Sequence, residues 1–112
     1  MQTSVIKKTL LATVTLLWLG LAAPQGVGIE TRGVRSCGAW ISQVGTVGLA
    51  NRTWFIGFLT GIAFMSNKDF LHGTDNESLY LWLDNYCRSN PLKMIDDGGY
   101  LLFLELVKQK RL

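Results

Sequence analysis

A chain of 112 residues has room for one domain, and its eleven Lys and Arg, eight Asp and Glu and single His give a net charge of +3. No clustered basic patch interrupts the sequence, which argues against a nucleic-acid reader. Two Cys and one His fall short of the four ligands of a structural zinc site, so no metal and no cofactor is expected.

Lys7 and Lys8 precede Thr9 to Ala23, a stretch without charge and mostly apolar. A basic start, an apolar run and then small residues mark a secretory signal. The run is shorter than the roughly twenty residues a spanning helix needs. Residues 1–28 are therefore expected to be a signal peptide with its cleavage region, and the chain to reach the periplasm without stable membrane insertion. Without them nine Lys and Arg face eight Asp and Glu, a net charge near +1. Residues 29–35 lack apolar periodicity and are expected to be a flexible leader to a helical domain over 36–112. Two cysteines in an exported chain favour one disulfide, Cys37–Cys87.

Ser36 is placed to cap a first helix carrying Cys37, Trp40, Ile41 and Val44. Gly45 and Gly48 then predict a break near 45–50, with Asn51 capping the next segment. Trp54, Phe55, Phe58, Leu59, Ile62 and Met65 form a helical stripe. Gly57 and Gly61, four apart, predict a groove that admits a neighbour. Residues 66–73 read as a loop pinned by Phe70 and Leu71. Thr74 and Glu77 match a capping box at the start of a third helix. On that helix Leu79, Trp82, Leu83, Tyr86 and Cys87 make one apolar face. Asn90 and Pro91 suit the N-cap and first position of a fourth helix, with Leu92, Ile95, Gly99, Leu102 and Leu106 inward. Asp96 to Gly99 predicts a kink. Tyr100 to Leu104 is apolar all round, so it is either deeply buried or a greasy strip.

The sequence holds no self-sufficient catalytic constellation. His72 stands in a loop, and neither Ser66, Ser78 nor Asp75 occupies a nucleophile turn beside it. Asp96 and Asp97 diverge on a helix rather than facing one cleft. The chain is not expected to be an enzyme. Its aromatic load is more telling. Trp40, Trp54, Phe58, Trp82 and Tyr86 must build the core, yet a domain this small cannot hide them all, and part-exposed aromatics make protein-binding surfaces.

Ser36-Cys37-x-x-Trp40, the aromatic run Trp54-Phe55-Ile56-Gly57 and Tyr86-Cys87-Arg88-Ser89-Asn90-Pro91 together resemble the HdeA/HdeB family of periplasmic acid-stress chaperones. The resemblance spans about residues 36–106. It implies a small all-α, four-helix domain closed by a Cys37–Cys87 disulfide, without cofactor. It further implies a possible homodimer that loosens in acid and holds unfolded client proteins. The Gly-rich aromatic helix and the helix after Asn-Pro are also similar to Tai-type periplasmic immunity proteins, which bind and block one partner enzyme.

Overall fold

The computed structural model describes residues 28–42 and 45–112. They contain four helices: α1 (Cys37–Ile41), α2 (Gly45–Ser66), α3 (Asn76–Ser89) and α4 (Ile95–Lys110). Among the described residues there is no strand, only an isolated antiparallel bridge between Ser36 and Met94. Thr31–Leu112 form one compact unit in which α2 packs on α4, α4 on α3, and α3 on α1. The expected signal peptide and cleavage region lies, but for Gly28, outside the described residues, as does Val44.

The all-helical architecture and its disulfide match the expectation. Cys37 and Cys87 are bonded, with Cα atoms 4.8 Å apart, and both are fully buried. Around the bond lie Trp40 from α1, Phe55 and Leu59 from α2, Leu79 and Leu83 from α3, and Ile95, Leu102 and Leu106 from α4. Phe70 is also buried and meets Phe103 at 5.0 Å, so the 66–75 connection is pinned as its sequence implied.

The helix starts fall elsewhere than the cap residues suggested. Ser36 does cap α1, its hydroxyl accepting from the Ala39 amide at 3.1 Å. For α3, however, the cap is Asp75, not Thr74 with Glu77: the Asp75 carboxylate accepts from the Ser78 amide. Asp is at least as good an N-cap as Thr, and the Thr74 hydroxyl accepts instead from Lys110 Nζ at 3.0 Å. That ammonium also donates to the Phe70 and His72 carbonyls, so the end of α4 holds the loop before α3. Glu77 remains in the first turn, where the dipole favours it.

Asn90 and Pro91 do not open α4. Asn90 ends α3, its side-chain amide donating to the Tyr86 carbonyl at 2.9 Å and satisfying a last-turn acceptor. A helix from Pro91 is prevented by tertiary pairing. The Cys37 amide donates to Lys93 O at 2.8 Å and the Ile95 amide to Arg35 O at 3.0 Å. Residues 91–94 are thereby held against the entry to α1, and α4 begins at Ile95 with Met94 as its N-cap. Leu92, expected inside, is 96% exposed. The same pairing ties down the end of the expected leader. Further back, Gly33 has φ +72 and lies against the Trp54 indole, where a Cβ would sit 3.1 Å from the ring nitrogen.

Two other expectations fail. α2 runs unbroken from Gly45 to Ser66, and Asn51 is not a cap but a buried residue within it, its Nδ2 without a hydrogen-bond partner. The glycines also exchange roles. Gly57 and Gly61 are exposed, and among the described residues nothing would lie within 4 Å of a Cβ at either, so no described neighbour uses them as a groove. Gly98 and Gly99 are buried in a continuous α4. A Cβ on Gly98 would lie 2.7 Å from Leu83 and Tyr86 carbons, and one on Gly99 2.8 Å from Phe58. They set how closely α4 approaches α3 and α2.

Opposite effects of the same substitution follow. Gly57→Ala and Gly61→Ala should each raise stability by about 0.5–1 kcal/mol through helix propensity. Gly98→Ala and Gly99→Ala should each lower it by about 1–3 kcal/mol, because the rings and Leu83 must move. Urea midpoints of the four variants check this, and stabilisation by either buried alanine would contradict the close packing.

Candidate functional site

Trp40 offers no surface in the folded domain. It is 1% exposed, packed edge-on against Phe55 with centroids 5.6 Å apart. Its indole N–H donates to Asp84 Oδ1 at 2.7 Å, linking α1 to α3. In the folded domain Trp40 is a core residue.

The other four aromatics are half-buried and fall into two i, i+4 pairs. Trp54 and Phe58 stack on α2 with centroids 5.2 Å apart and planes 9° from parallel. Trp82 and Tyr86 do the same on α3, at 5.7 Å and 8°. Helix spacing puts such residues one above the other. The structure places the pairs on either flank of the start of α4, Phe58 beside Gly99 and Tyr86 beside Gly98.

Their polar partners differ. Trp54 Nε1 donates to the Arg32 carbonyl at 2.9 Å. Trp82 Nε1 donates to Glu105 Oε2 at 2.7 Å, a side-chain link between α3 and α4. Burial, and then the nearby charges of Asp97 and Asp96, push the Tyr86 phenol above its ordinary pKa. Tyr80, one turn before Asp84, carries the Arg52 guanidinium 5.1 Å from its ring centroid.

Carboxylates hold several of these joints. Asp84 and Glu105 each accept an indole N–H from another helix, and the Met94 amide donates to Asp97 at 3.2 Å. Asp75 caps α3. Its hydrogen bond with the Ser78 side chain, and then the amides of Ser78 and Asp75, hold its carboxyl below the ordinary range.

Apolar surface is extensive, and the helical stripes did not reveal all of it. Phe64 is 82% and Met65 88% exposed at the end of α2, although Met65 belongs to the sequence stripe. They adjoin an open depression of about 280 Å³ lined by Ala63, Phe64, Asn67, Lys68 and Asp69. Tyr100, Leu101 and Leu104 form the greasy strip anticipated on α4, and Leu81 is exposed on α3. The available signal on α2 is charge: Arg52 alone is ionic in its 22 residues.

His72 is on the exposed surface, its Nδ1 3.8 Å from Asp69 Oδ2. Among the described residues no group of three or more His, Cys, Asp and Glu is placed to hold a metal ion, and no helix is long and apolar enough to cross a membrane. No family model matches the chain, and no curated protein or solved structure matches it significantly.

Proposed function

We propose that this chain is a non-enzymatic periplasmic protein of HdeA/HdeB type, which holds partly unfolded clients through apolar surface released in acid. The observation that carries the reading is the use of carboxylates at the joints: Asp84 on Trp40, Glu105 on Trp82, Asp97 and Asp75 at helix starts. Hydrogen bonds to an ionised acceptor are roughly twice as strong as neutral ones. Without residues 1–28, neutralising the acids leaves nine Lys and Arg plus His72 to repel one another, a charge of about +10.

The sign for Asp75 agrees. Its folded pKa lies below the unfolded one. Its stabilisation is therefore complete above the ordinary carboxylate range and disappears as pH falls through the lowered folded value. The helices then separate while the disulfide keeps the chain from extending fully, and the strips already exposed on α2 and α4 widen.

The test adds the purified disulfide-bonded protein to an aggregation-prone client and lowers the pH from 7 to 2. Loss of near-UV circular dichroism below pH 4 and suppressed light scattering are expected. A protein that keeps its tertiary signal and leaves scattering unchanged at pH 2–4 overturns the reading.

A second reading, an immunity or inhibitor module that binds one folded enzyme, is favoured by the ordered aromatic pairs. Their indole N–H groups are already satisfied, and a preorganised surface binds with less ordering cost. A single stoichiometric partner recovered at pH 7 would select it.

A further inference from the structure

The two aromatic pairs have the same geometry but different electrostatic settings. The Trp54 indole donates to a backbone carbonyl, whereas the Trp82 indole donates to a carboxylate, Glu105. On α3 and α4 the charged residues are Glu77, Asp84, Asp96, Asp97 and Glu105 against Arg88, Lys108 and Lys110, and Lys110 is turned to the loop before α3. The i, i+4 step places Asp97, Leu101 and Glu105 along one line of α4. Tyr86 packs against Gly98, the chain neighbour of Asp97, where a Cβ would lie 2.7 Å from its ring. Leu101, 46% exposed, supplies an apolar floor between the two acids.

We infer that this α3–α4 seam is a docking surface for a basic segment of a partner protein, with an arginine guanidinium lying on the Trp82–Tyr86 rings between Asp97 and Glu105. Charge complementarity selects the occupant. A cation over an indole or phenol ring is attracted to its π face. A planar guanidinium both stacks on rings and forks onto carboxylates, which a lysine ammonium does less well. Each carboxylate oxygen keeps acceptor capacity beyond the single N–H it already takes. The same helix shows the preference internally, because Tyr80 carries Arg52 over its ring. Burial first, and then the charges of Asp97 and Asp96, raise the Tyr86 pKa, and those two charges are of the sign a cation requires. The inference deepens the folded-partner reading by naming a surface and a chemistry. It concerns the native domain at neutral pH rather than the acid-loosened one.

The test titrates the full-length, disulfide-bonded, nitrogen-15-labelled chain at pH 7 and low ionic strength with a blocked peptide of alternating Gly and Arg. Matched peptides carrying Lys or Glu in place of Arg are the comparisons. The Arg peptide should move the Trp82 indole resonance and leave those of Trp40 and Trp54 in place, with Lys weaker and Glu without effect. Glu105→Gln keeps an acceptor for the indole while removing the charge, so the fold persists. It should weaken Arg-peptide binding by up to about fivefold, the scale of an exposed ion pair, and added salt should weaken it further. Equal shifts with the Glu peptide, a response centred on Trp54, or undiminished binding by the Glu105→Gln variant would overturn the inference. So would a Trp82 response to a chito-oligosaccharide but not to the Arg peptide. A pull-down that finds no folded partner while the Arg peptide still binds at Trp82 would fail only the folded-partner reading.

Discussion

Reducing the Cys37–Cys87 bond is expected to lower the stability of the domain by about 4 kcal/mol. The bond closes a loop of 50 residues, and chain entropy gives that magnitude for such a loop. For a domain of roughly 80 residues, total stability is only about 4–12 kcal/mol, so the reduced protein sits near its unfolding threshold. The loss acts first through the unfolded chain, which gains conformations once the loop opens. The folded state also suffers at a definite place. α1 is five residues long, far below the length at which a helix persists unaided. It is held by the disulfide, by Trp40, and by the pairing of residues 35–37 with 93–95. Urea unfolding with and without reductant, and of the Cys37→Ala/Cys87→Ala double variant, measures the effect. A midpoint that moves little in either case would show that the pairing and Trp40 suffice.

The features visible in the sequence were those set by spacing along one helix. Leu79, Leu83 and Cys87 face inward because they repeat every four residues, and Leu102 and Leu106 do the same on α4. The misplaced features depended on residues far away in the chain. Asn90-Pro91 is a good local start for a helix, yet Lys93 O and Ile95 N are committed to Cys37 and Arg35, nearly sixty residues earlier. Thr74 is a good local cap, but Lys110 occupies its hydroxyl and Asp75 is next in line. Gly57 and Gly98 have the same identity, and only the packed neighbour of Gly98 gives it a structural role.

The proposed binding surface shows the same division. An i, i+4 spacing could show that Trp82 and Tyr86 share a helix face. That Glu105 reaches back to Trp82 depends on the register between α3 and α4, for which the sequence carries no local signal. Trp40 misled for a similar reason. Its position in a five-residue helix says nothing of burial, which comes from Phe55 and Tyr80 closing over it.

Trp40→Ala should therefore cost about 3–5 kcal/mol, the range for removing a buried aromatic from a close-packed site. Three losses combine. The cavity opens against Phe55 and Tyr80, which cannot both collapse into it because each is anchored on its own helix. Asp84 loses the indole donor at 2.7 Å and must turn to water. α1 loses the side chain that, apart from the disulfide, fixes it to α3. Trp40→Phe helps to separate these contributions, because it keeps an aromatic ring in the site while removing the N–H and part of the indole volume. The lost hydrogen bond to a charged group should cost about 1.5–3 kcal/mol. Asp84→Asn in the Trp40→Phe background should then add little, since the bond it served has already gone, whereas Asp84→Asn alone should destabilise. Urea midpoints of the four proteins close this cycle. Additive costs would mean that the charge on Asp84 adds nothing to the indole bond, because asparagine at this position keeps an acceptor for the N–H.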